Sequence, residues 1–312
     1  MRIFRSPAEV PAGFGPSAVT IGKFDGLHLG HRAVIDRMRQ LAADRSLRSV
    51  VVTFDRNPLA LLRPELCPPQ LTSPQQKLEL FAGTGIEATL MLTFDQELAA
   101  QPAEEFVESV LLAGLQAQAV FVGADFRFGA RGAGDVALLR ELGQQHGFEV
   151  IVIEDVTDAP EHRLSATRIR QLISEGEVAQ AATLLGRAPS VRSTVVHGQR
   201  RGHELGFPTA NLDPAGLEGM IPADGVYAGW LMVDGGRYPA AISVGDNPTF
   251  EGVPARQVEA YALDEDFDLY GKVAEVVFVD RIRGMVRFEG IDSLIDQMHD
   301  DVLRTRSILA HA

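Results

Sequence analysis

The sequence predicts a doubly wound parallel α/β sheet followed by a small antiparallel β-barrel with a C-terminal helix. Three observations carry that reading. Short apolar strand patterns alternate with helix patterns up to Leu185. After Gly186-Arg-Ala-Pro-Ser190, a linker composition, strand patterns follow one another without helices between them. Residues 291–310 then return to helical spacing. Strand–helix alternation implies parallel pairing through crossover helices, whereas consecutive short strands imply an antiparallel barrel. The same change of pattern divides the chain into domains 1–186 and 187–312.

The elements follow in order. Residues 18–21 form the first predicted strand. Residues 48–54 are a β-branched run suited to a strand buried on both faces, and 89–92, 119–123 and 150–153 repeat the theme. Between them, 31–45, 74–82, 103–114 and 135–146 read as helices, with Ser73-Pro74 as a start signal. Residues 165–185 read as two short helices. In the second half, strands 226–233 and 237–244 flank Asp234-Gly-Gly236, a hairpin signal. Strands 258–263 and 272–282 come next. The closing helix places Ile291, Leu294, Ile295, Met298, Val302 and Leu303 at helical spacing as its apolar face.

Composition excludes several classes of function. The chain has 312 residues, 46% hydrophobic and 23% charged, which is ordinary globular material with room for two domains. A formal net charge of -13 argues against nucleic acid as a partner, but not against a local pocket for a small anion. The first ten residues lack the apolar core of a signal peptide, and no apolar run reaches membrane-spanning length. Cys67 is the one cysteine, so it forms no internal disulfide. The expectation is a cytoplasmic protein with small-molecule substrates, with a homo-oligomer left open.

The most informative stretch is Thr20-Ile-Gly-Lys-Phe-Asp-Gly-Leu-His-Leu-Gly-His31. A strand runs into a glycine-punctuated turn, and His28 and His31 stand at the mouth of the next helix. Helix starts present unpaired N–H groups and a positive dipole end, which suits phosphate. Gly22, Gly26 and Gly30 allow the backbone to turn and approach a ligand. Two imidazoles can donate to phosphate oxygens, and add charge when protonated. An isolated pair of this spacing reads as solvated turn histidines; the strand–turn–helix context favours a phosphate site.

Other candidates are weaker alone. Asp125, after a strand, can accept hydrogen bonds from a base or ribose, while Phe126 and Phe128 suit stacking on a planar ring; a turn with core aromatics fits those residues equally well. Asn57 stands in what reads as a turn. Ser165-Ala-Thr-Arg-Ile-Arg170 places hydroxyls and guanidiniums at a helix start. Ser165 is a good cap, but Arg168 opposes the helix dipole unless an anion binds there. The chain has neither a G-x-x-x-x-G-K-[ST] loop nor a G-x-G-x-x-G turn after a strand. A triphosphate held by histidines, a helix start and a distal Ser/Thr/Arg cluster suits attack at the α-phosphorus, with pyrophosphate leaving. In the second half, Thr209 and Asn211 of Gly206-Phe-Pro-Thr-Ala-Asn211 offer oxygens for a hard cation, or simply form a turn before an edge strand. Glu259 lies in a strand pattern, where a glutamate is ordinarily solvated but beside a bound hydroxyl acts as a general base.

Gly22 to His31 together with Ser165 to Arg170 resembles the H-x-G-H nucleotidyltransferases, specifically the flavin adenylyltransferase module of bacterial bifunctional FAD synthetases. The resemblance implies that His28 and His31 act on ATP phosphates in adenylyl transfer. Gly22, Phe24, Asp25, Gly30, Ser165, Thr167 and Arg168 would complete the ATP site, and Asn57, Asp125, Phe126 and Phe128 a flavin or nucleotide pocket. Lys23 and Ala166 depart from the family pattern without removing a needed group. Gly206 to Asn211, Ser243-Val-Gly-Asp-Asn-Pro-Thr-Phe250, Val258-Glu259, Asp268-Leu-Tyr-Gly271 and Ile282-Arg283 resemble, in order, the riboflavin kinase module of the same enzymes. That implies Thr209 and Asn211 as Mg²⁺ ligands, Gly202 and Gly206 at the ATP, and Glu259 as the base for the ribityl hydroxyl. Asn247 matches the motif, and Ser243 stands where the family often has Asn. The implied activity is riboflavin phosphorylation to FMN followed by adenylylation to FAD, with ATP as co-substrate. A nucleotidyltransferase with another acceptor and a non-catalytic flavin binder are the competing readings.

Overall fold

The computed structural model describes residues 1–153, 164–197, 207–246, 256–265, 267–288 and 290–311. It contains two compact units, Met1–Ser165 and Ala166–Ala312.

The first unit is built on a six-stranded parallel sheet. Its strands are β1 (Arg2–Phe4), β2 (Ser17–Ile21), β3 (Arg48–Phe54), β4 (Ala88–Leu92), β5 (Ala117–Gly123) and β6 (Glu149–Ile153), in the order β1-β4-β3-β2-β5-β6. All residues of β2 and β4 are buried, as expected for strands covered on both faces. Alternate side chains supply two cores. On one face Ala18, Val51 and Phe121 meet Ile35 and Met38 of α1 (Leu29–Asp44), together with Phe81. On the other, Val19, Val50 and Val120 meet the helices that follow β4 and β5.

The remaining helices of this unit are α2 (Pro58–Leu62), α3 (Pro74–Ala82), α4 (Gln96–Ala100), α5 (Ala103–Phe106) and α6 (Val136–His146). α3 has its expected bounds, because Ser73 and Gln76 form a capping box and Pro74 opens the first turn. Three differences from the sequence reading have clear causes. The histidine turn follows the second strand, not the first, because Arg2–Phe4 adds a short edge strand beside β4. The turn read at Asn57-Pro58 is the start of α2. The helix expected over 103–114 is α-helical only to Phe106 and π-helical over Val107–Gly114, which buries Val107, Val110 and Leu111.

The second unit holds α7 (Ala166–Glu175), α8 (Val178–Leu185) and a closed antiparallel barrel. The barrel strands are β7 (Ser190–Val196), β8 (Ala210–Leu212), β9 (Gly225–Val233), β10 (Gly236–Asp246), β11 (Arg256–Ala262) and β12 (Val273–Arg283), closing in the order β10-β11-β8-β7-β12-β9. Val233 pairs with Gly236, and Asp234 and Gly235 both adopt positive φ (51° and 78°), the two-residue hairpin geometry that matches strand twist. Val195, Leu212, Tyr227, Ile242, Val258 and Phe278 fill the interior.

The closing helix, α9 (Ile291–Leu309), presents the expected face in part: Leu294, Ile295, Met298 and Val302 are half-buried, while Ile291 and Leu303 are each 64% exposed. Asp301, Thr305 and Leu309 are buried with that face. An ion pair lies within it. Arg283 at the end of β12 donates to both Asp301 carboxylate oxygens, Nε to Oδ1 at 2.9 Å and Nη2 to Oδ2 at 2.7 Å. This buried bidentate contact ties the inward side of the helix to the strand end beside its half-buried apolar residues.

Candidate active sites

β2 lies between β3 and β5, so the loops leaving these three strands share one edge of the sheet. Ligands in doubly wound sheets bind at that carboxyl edge. Three pins hold the loop after β2. Thr53 Oγ1 donates to the Lys23 carbonyl at 3.2 Å, and the Gly26 N–H donates to Thr72 Oγ1 at 3.3 Å. Asp25 Oδ1 accepts from the Leu71 and Thr72 N–H groups at 3.0 and 3.3 Å. Asp25 therefore braces the loop with its side chain. Gly26 sits at φ 75°, and Phe24 and Leu27 also take positive φ.

α1 starts two residues before the predicted point, with His28 as its cap. The nearly buried His28 ring accepts the His31 N–H on Nδ1 at 3.3 Å, so in the neutral ring the proton is on Nε2. The two imidazoles are stacked, with centroids 3.6 Å apart. A Cβ at Gly30 would sit 3.2 Å from the His28 ring, so the glycine makes room for the cap. Phe24 is core and packs edge-on to His31 at 5.2 Å and to Phe81 at 5.6 Å. His31 Nδ1 is buried and has no hydrogen-bond partner among the described residues. Burial, then His28, then Lys77 push the His31 pKa well below its ordinary value. The sequence reading allowed a protonated pair; burial and the neighbouring groups favour the neutral ring at His31.

Gly22 follows β2 directly, and its N–H donates to Val52 O at 3.1 Å. Asn57 follows β3, where its Oδ1 caps α2 by accepting from the Leu59 N–H at 3.1 Å. After β5, Asp125 is exposed and the Phe126 and Phe128 rings stack at 5.4 Å. Phe128 belongs to the core beside Phe106, so Phe126, half-buried, is the ring nearer solvent. Ser165 immediately precedes α7, with Thr167 and Arg168 in its first turn, inside the second unit. Their grouping with the histidines rests on the sequence resemblance. Sequence reasoning missed Lys77, a buried lysine of α3 whose Nζ donates to Phe54 O at 3.1 Å at the end of β3. A lysine on a helix ordinarily reads as a solvated residue.

In the barrel, Glu259 pairs in register with Ser243 on one side and Asn211 on the other. Val258 and Ala260 point inward, so this three-strand row faces outward. Asn211 Nδ2 donates to Thr209 Oγ1 at 3.3 Å and to Thr209 O at 3.2 Å. The Thr209 hydroxyl is in turn bonded to Glu259. Burial pushes the Glu259 carboxyl above its ordinary pKa, and the Thr209 bond opposes that shift. Phe207 anchors the segment leading to Thr209, edge-on to Tyr261 at 5.3 Å and to His299 of α9 at 5.2 Å. Gly202, Gly206 and Asn247 lie outside the described residues. Thr209 and Asn211 supply hard oxygen donors within one hydrogen bond of each other, a set that fits Mg²⁺ retaining waters and phosphate oxygens.

Comparison with known proteins agrees with this division. The FAD synthetase family matches residues 12–168, and the riboflavin kinase family matches residues 185–309. A bifunctional riboflavin kinase/FMN adenylyltransferase of Escherichia coli K12 is 35% identical over 92% of this chain and 91% of its own. Its counterpart in Listeria monocytogenes is 34% identical over 94% of this chain and 92% of its own. A Streptococcus pneumoniae crystal structure described as a macrolide-efflux protein has a TM-score of 0.85 and 32% identity, covering 97% of this chain and 98% of that one. Among the described residues here, no helix is long and apolar enough to cross a membrane. With two successive family matches and relatives spanning nearly its whole length, the chain belongs to the bifunctional riboflavin kinase/FMN adenylyltransferase family.

Proposed function

We propose that the chain phosphorylates riboflavin to FMN on its barrel and adenylylates FMN to FAD on its parallel-sheet unit, using one ATP for each step. The observation that carries this reading is the Glu259–Thr209–Asn211 chain, in which a partly desolvated carboxylate adjoins two hard oxygen donors. Glu259 takes the proton of the ribityl 5′-hydroxyl, and that oxygen attacks the γ-phosphorus as ADP leaves. Thr209 and Asn211 hold Mg²⁺, which when bound neutralises phosphate charge. The Thr209 hydroxyl orients the carboxylate. Gly202 and Gly206 are assigned to the nucleotide by resemblance.

In the adenylylation step, an FMN phosphate oxygen attacks the ATP α-phosphorus and pyrophosphate leaves. His28 donates from Nε2, because its Nδ1 is engaged as the cap. His31 and the first N–H groups of α1 complete the phosphate cradle, with Gly22 and Gly30 admitting the backbone and Phe24 and Asp25 bracing it. Ser165, Thr167 and Arg168 are assigned to the nucleotide by resemblance. Phe126 stacks on a ring of the substrate, Phe128 supports Phe126, and Asp125 and the Asn57 Nδ2 supply polar contacts. The functional boundary proposed is the linker at 186/187, between α8 and β7. Dependence on ATP supports a cytoplasmic location.

The direct test is incubation with riboflavin and Mg-ATP, followed by chromatography of the flavins. FMN and FAD are expected together. FMN alone would remove the adenylylation step; unchanged riboflavin would remove the phosphorylation step, and supplying FMN with Mg-ATP then tests adenylylation by itself.

A further inference from the structure

Lys77 is 7% exposed, and its ammonium sits under the carboxyl edge of the sheet. It is held to the end of β3 by the bond from Nζ to Phe54 O at 3.1 Å. Two acidic loops flank it. Asp25, after β2, braces the backbone of 71–72, and Asp55, after β3, accepts the Phe94 N–H on Oδ1 at 3.0 Å. Both carboxylates act on Lys77, yet burial dominates and its pKa is lowered. A lowered lysine pKa means that the unfolded chain holds the proton more tightly than the folded one. The buried charge therefore weakens the fold at neutral pH, and an apolar side chain of similar length would serve packing better. Such a charge in a fold whose α3 is otherwise well capped calls for a local purpose.

His31 is its neighbour in effect. Among the described residues, the titratable groups acting on His31 are His28 from the same turn and Lys77 from α3, while Phe24 closes another side edge-on. We propose that Lys77 is a positioning residue of the adenylyl-transfer site: its buried ammonium, bonded to Phe54 O and flanked by Asp25 and Asp55, holds the loops after β2 and β3 at the sheet edge that carries His31. This rests on the adenylylation reading above, in which His31 meets the ATP phosphates.

The test compares Lys77→Met, which keeps the stem and removes the charge, with Lys77→Gln, which keeps a donor for Phe54 O. Both should lower the kcat of FMN adenylylation at least tenfold, leave riboflavin phosphorylation by the same chain within twofold, and leave Tm unchanged or higher. In the ligand-free protein, NMR titration of the His31 ring should move upward by about half a pH unit in both variants, because a nearby positive charge is gone. Unchanged adenylylation with an unmoved His31 titration would overturn the proposal. Recovery in Lys77→Gln alone would also overturn it, by assigning the effect to the hydrogen bond. Loss of both activities with a lower Tm would make Lys77 a folding residue. A wild-type chain that makes FMN but never FAD defeats the adenylylation reading instead, and the His31 titration then still tests Lys77.

Discussion

In the proposed role of base, Glu259 combines two demands that conflict at a solvent-exposed carboxylate. It must be ionised to accept a proton, and it must be basic enough to want one. Burial raises its pKa, and the Thr209 hydroxyl limits the rise. The acid limb of riboflavin phosphorylation should therefore fall at a higher pH than for a free glutamate: activity disappears as pH drops through the raised value. A pH profile of kcat/KM checks this. Glu259→Gln should lower phosphorylation by about 10²-fold or more, the usual contribution of a positioned base, and spare FMN adenylylation. His28 carries a different double load, as the observed cap and as the proposed phosphate donor. His28→Ala should abolish FAD formation, spare FMN formation, and weaken the fold by about 1 kcal/mol, the scale of a lost N-cap, measured by denaturant titration. Equal loss of both activities in either variant would contradict separate sites.

At the scale of elements, legibility followed length and symmetry of environment. β3 and α3 were readable to the residue, because one is a continuous β-branched run and the other begins at Ser73-Pro74 with Gln76 to complete the box. β1 has three residues, too few for any period, and exists because β4 offers it an edge. α9 was correctly placed and its face read in part: Leu294, Ile295, Met298 and Val302 are half-buried, but Ile291 and Leu303 are exposed, and the buried Arg283–Asp301 pair, distant in sequence, gave no periodic signal. Removing one partner of a buried pair leaves the other charge stranded. Asp301→Ala should therefore cost about 3 kcal/mol, read from chemical unfolding, with a smaller loss on the simultaneous change Arg283→Met.

For the whole molecule, the motifs of both units were visible in sequence, and the two family matches cover them in succession. The way each side chain is used was not. Asp25 and Asn57 were read as candidate ligand contacts, and folding also gives each an oxygen that holds backbone N–H groups; Lys77 was not singled out and is buried. Such assignments depend on groups brought together by folding, which a linear pattern does not display. If the two activities are separable, a mixture of His28→Ala and Glu259→Gln chains should convert riboflavin to FAD with a lag, as FMN passes through solution. Chromatography over time checks it; no FAD in the mixture would mean that FMN must stay on one chain.

The outward row formed by Ser243, Glu259 and Asn211 has a further consequence. Along β11, neighbours alternate between interior and exterior, so displacing that strand by a single position would trade the proton acceptor for Val258 or Ala260. The barrel's hydrocarbon filling thus acts as a ruler for its chemistry: any sequence change that lets β11 slide silences phosphorylation before it unravels the sheet.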